Sequence, residues 1–413
     1  MLLRRALGIV LLAVPVPAAA APVVLGADRL FSDFAHLIRG KRLALVSNHS
    51  GRLANGVHLA DTLAHWSGAS LRVLFGMEFD IRSNSYALAR DGERATDATT
   101  GLPKYNLYGE HHRPTREQLG DAQVIIFDIQ DVGARFYEHV NILGFVMDAA
   151  AEYGLEVVVL DRPNPLGGLG ADGFVTDPSA RYRFGSYTDI PVLHGMTTGE
   201  LARFYVGERL LQSGRVPPLT VVPMTGWRRT MWFDETGLEW RKPSPNLLTL
   251  SSLTAYAATC LFEALNVSEG RGSETPFEVI GAPWMNHQAV HARLAALRLP
   301  GVAFDTLSFT PTQRPFHGRP PEYADTPLRG IRLRLTDRTV ASLYQVGVAM
   351  LWAVHAEHAN QLVWNDAVFD RLTATPRLKQ LLLAGATPDV MANAWRDELQ
   401  RFQSRRAPYL LYP

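Results

Sequence analysis

The chain has 413 residues, 47% apolar and 20% charged, with 41 basic against 40 acidic side chains. That length exceeds one small core and points to two domains or one domain with large additions. The balanced charge leaves no basic field for nucleic acid, and the single cysteine, Cys260, excludes an internal disulfide.

Residues 1–20 read as a signal peptide. Arg4 and Arg5 form the basic end, Ala6 to Val16 the apolar centre, and Ala18-Ala19-Ala20 the small residues of a cleavage site near Ala20. The apolar run is too short to span a bilayer and contains Pro15 and Pro17, so no stable membrane anchor is expected. The mature protein is expected to be exported, periplasmic or secreted. Loss of Arg4 and Arg5 tips the charge slightly acidic, which suits a neutral or mildly anionic substrate.

Four apolar runs follow: Arg42–Val46, Leu71–Phe75, Val124–Phe127 and Leu155–Leu160. They are continuous rather than alternating, as in strands buried on both faces. Between the last two, Phe136, Val140, Leu143, Met147 and Ala150 keep helical spacing, and Gly154 stops the helix. This is a βαβ unit, so the fold class is α/β with a parallel sheet and right-handed crossovers.

Each run ends in polar residues: Ser47-Asn48-His49, Gly76-Met77-Glu78, Asp128 with Asp131, and Asp161-Arg162-Pro163-Asn164. Ligands bind beyond the carboxyl ends of parallel strands. Four polar ends side by side predict one cleft. The alternative is that strands simply end in polar turns. Residues 80–118 form a long polar connection in which Tyr86, Tyr105 and Tyr108 could stack on a sugar or pin the loop.

A boundary falls near Pro243-Ser244-Pro245, dividing the mature chain into 21–245 and 246–413. The second part predicts a helix over Ser252–Leu265, a strand over Gly330–Asp337, and helices over Val340–His358 and Thr387–Arg405. Cys260 lies among apolar neighbours and reads as a buried thiol. "GGLGADG", 167–173, reads as a turn rather than a dinucleotide loop. HExxH, CxxC and GxSxG are all absent. No metal or other cofactor is expected.

Carboxylate chemistry remains. Glycoside hydrolysis needs two carboxyl groups, and Glu78, Asp128, Asp131, Asp161, Glu263 and Glu269 can supply them. Arg135 or Arg162 could clamp a carboxylate beside Asp128. The competing reading for each is an internal ion pair at a strand end.

Seven stretches carry a resemblance: "FDIQDVGARFY" (127–137), "VVLDRPNPLGG" (158–168), "HGMTTGELA" (194–202), "GWRRTMWFDETGL" (226–238), "SPN" (244–246), "FEALNVSEGRGSETPFEVIGAPW" (262–284) and the terminal "YLLYP". In this order they resemble the NamZ family of exo-β-N-acetylmuramidases over nearly the whole mature chain. The resemblance implies a Rossmann-like N-terminal domain, a smaller α/β C-terminal domain and an active site between them. It implies release of N-acetylmuramic acid from the non-reducing ends of peptidoglycan fragments. The family's Gly-Pro-Glu-His-Gly followed by Ile-Arg is here Gly76-Met77-Glu78-Phe79-Asp80-Ile81-Arg82, keeping the glutamate and arginine. Glu138-His139-Val140-Asn141 stands where relatives carry small, hydroxyl-rich residues.

On this reading Glu78 is the catalytic acid and Asp128 the second carboxylate, with Asp131 and Glu269 behind it. Asn48, Arg82, Asp131, Arg135, Tyr137, Asp161, Arg162, Asn164, His194, Asn266, Glu269 and Arg271 are the expected substrate contacts. Arg82, Arg135, Arg162 and Arg271 can meet the lactyl carboxylate. The partner is a muropeptide or peptidoglycan-derived saccharide. Because Phe79 replaces the motif's histidine, a relative that binds wall fragments without cleaving them, or a glycosidase for another sugar, stays open.

Overall fold

A computed structural model describes residues 23–83, 92–109, 111–313 and 320–413. The expected signal peptide and Tyr86 lie outside the described residues. A seven-stranded sheet forms the first half. Its strands are β1 (Arg42–Ser47), β2 (Ser70–Gly76), β3 (Ala95–Thr96), β4 (Pro103–Asn106), β5 (Val124–Asp128), β6 (Glu156–Leu160) and, later in the chain, β9 (Leu219–Val222). The order is β3-β4-β2-β1-β5-β6-β9, parallel except for the β3–β4 pair at the edge.

The four predicted apolar runs are the four central strands. Successive side chains point to opposite faces, and both faces are covered. Ala44, Val46, Ile125, Phe127, Val157 and Val159 pack under the helices His139–Tyr153 and Thr198–Gly207. Leu43, Leu45, Val124, Ile126, Val158 and Leu160 pack against the helix Leu59–His65 and the segment containing Ala27, Leu30 and Ile38. The helix after β5 begins at His139 and ends at Gly154 in the left-handed conformation, φ 71°. The connection after β2 holds β3 and β4, which sequence reading left as loop. Both are too short and polar for a period-2 signal.

A two-stranded ribbon, β7 (Asp172–Val175) with β8 (Pro191–Leu193), leads to the second region. There β10 (Val279–Ala282), β11 (Val302–Phe309) and β12 (Leu328–Leu335) form an antiparallel sheet in the order β10-β12-β11. The helices Leu250–Thr259 and Leu343–His358 cross so closely that a Cβ on Gly347 would lie 1.9 Å from the Ala258 carbonyl oxygen. The predicted helix over Thr387–Arg405 is two helices, Pro388–Asn393 and Arg396–Arg406. The chain breaks between them to bury Trp395 against Phe174 and Tyr344, with its indole N–H on Asp172 (3.2 Å).

The two regions interlock. Val132, Ala134, Phe136, Tyr137, Phe174 and Val192 belong to the same apolar cluster as the helices of the second region. The C-terminal residues return to the first sheet. Phe402 packs edge-on to Phe204, and the Tyr412 hydroxyl donates to Asp161 (2.5 Å). Among the described residues, no helix is long and apolar enough to cross a membrane.

Candidate active site

A cavity of about 740 Å³ lies where the two regions meet. The first region contributes Glu78, Tyr108, Phe136, Tyr137 and Glu138. Ser244 lies at the boundary, and the second contributes Asn246, Tyr256, Glu263, Arg271 and Arg371. Three carboxyl groups, two guanidinium groups and an aromatic wall thus face one space. Tyr256 joins the wall edge-on to Phe136 (5.2 Å), Tyr137 (6.0 Å) and Phe277 (4.8 Å). Such a surface suits the apolar face of a sugar.

Glu78 reaches the cavity through a tight reversal after β2. Its φ is +49°, in the left-handed region that a glutamate adopts at a cost of about 1–3 kcal/mol. The Phe79 amide donates back to the Met77 carbonyl, and Asn106 Nδ2 holds the Phe79 carbonyl at 3.0 Å. Gly76 allows the turn: a Cβ there would sit 3.1 Å from Phe79 O and Ile81 N. Glu78 keeps 8% of its surface exposed, whereas Phe79 is wholly buried, its ring edge-on to His49 at 6.3 Å. Phe79 therefore fills core beneath the turn and is not a wall of the cavity. Asp80 turns away as well, with both carboxylate oxygens within 2.9 Å of Lys104 Nζ.

The cleft expected from four polar strand ends is only partly realised, because three ends are consumed internally. Asp128 is fully buried and accepts from Arg162 Nε (2.6 Å) and Nη2 (2.9 Å), a bidentate pair behind the cavity. Arg162 also donates to the Arg52 carbonyl. The expected second carboxylate is thus an internal ion-pair partner, since its geometry commits both oxygens. Asn48 folds its amide oxygen onto Ser50. Asp131 Oδ2 accepts from the Gly133 amide and lies 3.6 Å from His194 Nε2. Asn164 braces Met196 and Leu166.

The other expected contacts divide in the same way. Arg82 is bidentate to Asp97 and also pairs with Asp61. Arg135 is fully buried and donates to the carbonyls of Gly185, Leu372 and Thr373, so it stitches the cavity wall rather than facing a ligand. Burial lowers its pKa to about 10. Asn266 ties Gln361 to Val363. Glu269 is buried and accepts from Arg271. Of the expected residues, Glu78, Tyr137 and Arg271 line the cavity. Tyr137 donates to the Pro243 carbonyl, and Arg271 bridges Glu263 (2.8 Å) and Glu269 (2.9 Å). Of the loop tyrosines, Tyr108 lines the cavity and Tyr105 stacks on Phe75.

Sequence reading marks the Glu138 stretch as a departure from relatives without naming it a site residue, and it misses Arg371. Glu138 had one visible signal, a charge inside the aromatic-to-apolar run "RFYEHVNIL". Arg371 had none: it sits in the amphipathic helix Asp366–Thr373 and reads as part of a solvated face. Cys260 lines the cavity floor, but burial, followed by the charge of Glu263, raises its thiol well above the ordinary range, so it is no thiolate nucleophile. Among the described residues, no group of three or more His, Cys, Asp or Glu side chains is arranged to hold a metal ion.

Asp161 yields a pH prediction. Burial pushes its carboxyl up to about 7 despite donors from Tyr412, Thr197 and Gly199, with the Glu200 charge adding to the rise. The folded state therefore holds this proton more tightly than the unfolded chain. Its stabilising effect is complete below pH about 4 and is lost as pH rises to about 7. Urea unfolding at pH 5 and pH 8 should show a smaller difference for Asp161→Asn than for the wild type.

The sequence was compared with known proteins. A family model described as exo-beta-N-acetylmuramidase NamZ, N-terminal, matches residues 43–251, and its C-terminal counterpart matches residues 254–412. The peptidoglycan beta-N-acetylmuramidase NamZ of Bacillus subtilis (strain 168) is 36% identical over 388 residues, 94% of this chain and 91% of that protein. Two crystal structures of DUF1343 family proteins from Bacteroides fragilis share the fold. One has a TM-score of 0.84 at 29% identity, covering 96% of this chain and all of that one. The other has 0.76 at 30%, covering 95% and 99%.

Proposed function

The chain belongs to the exo-β-N-acetylmuramidase NamZ family, and we propose that it is an exo-acting glycoside hydrolase releasing N-acetylmuramic acid from the non-reducing ends of peptidoglycan fragments. The observation that carries this reading is the cavity itself, in which Glu78, Glu138 and Glu263 share one space with Arg271 and Arg371 beside an aromatic wall. Glycosidic cleavage needs a carboxyl pair about the scissile bond. The lactyl carboxylate needs a guanidinium in a partly dry site. The cavity gathers groups of both kinds in one volume large enough for a sugar.

Glu78 is the catalytic carboxylate of this reading. Its strained turn fixes the side chain toward the cavity before substrate arrives, so little ordering remains at the moment of reaction. Arg371 supplies positive charge beside Arg271, which Glu263 and Glu269 hold in place, and the rings of Tyr137 and Tyr256 give the sugar an apolar bed. The fragment-binding alternative drew on Phe79, and Phe79 leaves the cavity open. Export belongs to the same proposal, since it carries the enzyme to the wall. N-terminal sequencing of the mature protein from cell fractions is expected to begin near residue 21.

The test is hydrolysis of paired chromogenic substrates. A β-N-acetylmuraminide should be cleaved, and the matching β-N-acetylglucosaminide, which lacks the lactyl group, about 10- to 100-fold more slowly, the worth of one charge-assisted hydrogen bond. Saturable binding of N-acetylmuramic acid without release from the muraminide would overturn the hydrolase reading in favour of a binder. Preference for the glucosaminide would overturn the choice of sugar.

A further inference from the structure

One carboxyl of the cavity, that of Glu138, stands out among the described residues. Glu138 caps the start of the helix His139–Tyr153, but its side chain makes no capping hydrogen bond. Its Oε2 is buried and finds no hydrogen-bond partner among the described residues. A buried carboxylate oxygen in that state is costly, and a buried carboxylic acid much less so.

We propose that Glu138 is the second catalytic carboxyl of the cavity, a neutral acid that donates its proton to the departing glycosidic oxygen while Glu78 acts as its ionised partner. This deepens the muramidase reading and rests on it. The surroundings favour that division. Withdrawal from water is the largest influence raising the Glu138 carboxyl well above the usual range; the charges of Glu78 and Glu263 push the same way, and Arg371 opposes them. The other titratable groups facing this space are Tyr108, Tyr137, Tyr256, Cys260 and Arg271. Burial first, then Glu138 and Glu78, raises the Tyr108 hydroxyl, so it stays neutral and cannot take the acid's proton. A carboxyl raised in this way beside a second carboxyl suits the pairing of an acid with a base.

The step balances. The proton passes from Glu138 to the glycosidic oxygen as the C1–O bond breaks, its electron pair going to that oxygen, which leaves as an alcohol. Water supplies a hydroxyl to C1 and gives its remaining proton to a carboxylate. The pair ends the cycle sharing one proton, as it began.

The experiment compares leaving groups in the full chain. A sugar alcohol needs protonation to leave; 2,4-dinitrophenolate does not. Glu138→Gln, an isostere of the neutral acid, should lower kcat/KM at least about 100-fold on a muramyl disaccharide and less than about 10-fold on 2,4-dinitrophenyl β-N-acetylmuraminide. Wild-type cleavage of the disaccharide should fall as pH rises and the acid form is lost, and that alkaline limb should be absent with the dinitrophenyl substrate. This wild-type comparison decides the matter even if the variant folds poorly. Equal losses on both substrates, no loss on the disaccharide, or the same alkaline limb for both would overturn the assignment alone. A wild type that releases sugar from neither would overturn the muramidase reading and this assignment with it.

Discussion

Glu78→Gln is expected to lower turnover of a β-N-acetylmuraminide on the order of 10³-fold, the range of a lost acid or base. The substitution removes the ionisable oxygen and keeps the volume, so the left-handed turn and the buried Phe79 beneath it should stay in place. Arg271 and Arg371 are untouched, and calorimetric binding of N-acetylmuramic acid should change little. A drop in kcat with preserved binding is the signature of a group that acts in the transition state. Retention of more than about a tenth of wild-type kcat would remove Glu78 from the mechanism. If binding vanished along with turnover, Glu78 would instead be a shaping residue of the cavity.

Asp128→Ala is expected to act on stability. It strips the counterion from Arg162, which is 5% exposed and turned toward the protein interior. Breaking a buried ion pair by removing one partner costs about 3–5 kcal/mol, because the remaining charge is left uncompensated. The pair also ties the end of β5 to the residues after β6 and, through Arg162, to the Arg52 carbonyl. Its loss should loosen the floor of the first sheet. Chemical denaturation should show a lower midpoint. Activity per folded molecule should survive wherever the variant is folded. An unchanged midpoint together with lost turnover would return Asp128 to the catalytic role that its position after an apolar strand suggested.

These expectations separate two kinds of strand-end acid that a sequence does not distinguish. Glu78 and Asp128 both stand at the ends of apolar strands, and those strands flank β1 on either side in the sheet. The difference lies in what each side chain meets. Asp128 meets a guanidinium donated 34 residues later in the chain. Glu78 is swung by a strained turn into a cavity whose opposite wall is built by residues 244–277 and 371–372. Similarly, Arg82, Arg162 and Arg271 looked equivalent as carboxylate binders. The first two are held by Asp97 and Asp128, and only Arg271 reaches the cavity.

The parallel sheet is legible in the amino-acid order alone, because strands buried on both faces are continuously apolar. So is the helix that ends at Gly154, because a 3.6-residue period and a left-handed stop are local properties. The family is legible too, because seven motifs, several of them long, keep their order, and so is the glutamate after β2. Which polar residues face the cavity depends on the tertiary fold. An ion pair and a catalytic carboxyl share one chemistry and differ in their neighbours, which the folded chain brings in from other segments. Glu138 shows this most plainly. One charge in an apolar run becomes a candidate acid only when Glu78, Glu263 and Arg371, from three distant segments, are folded around it and water is withdrawn.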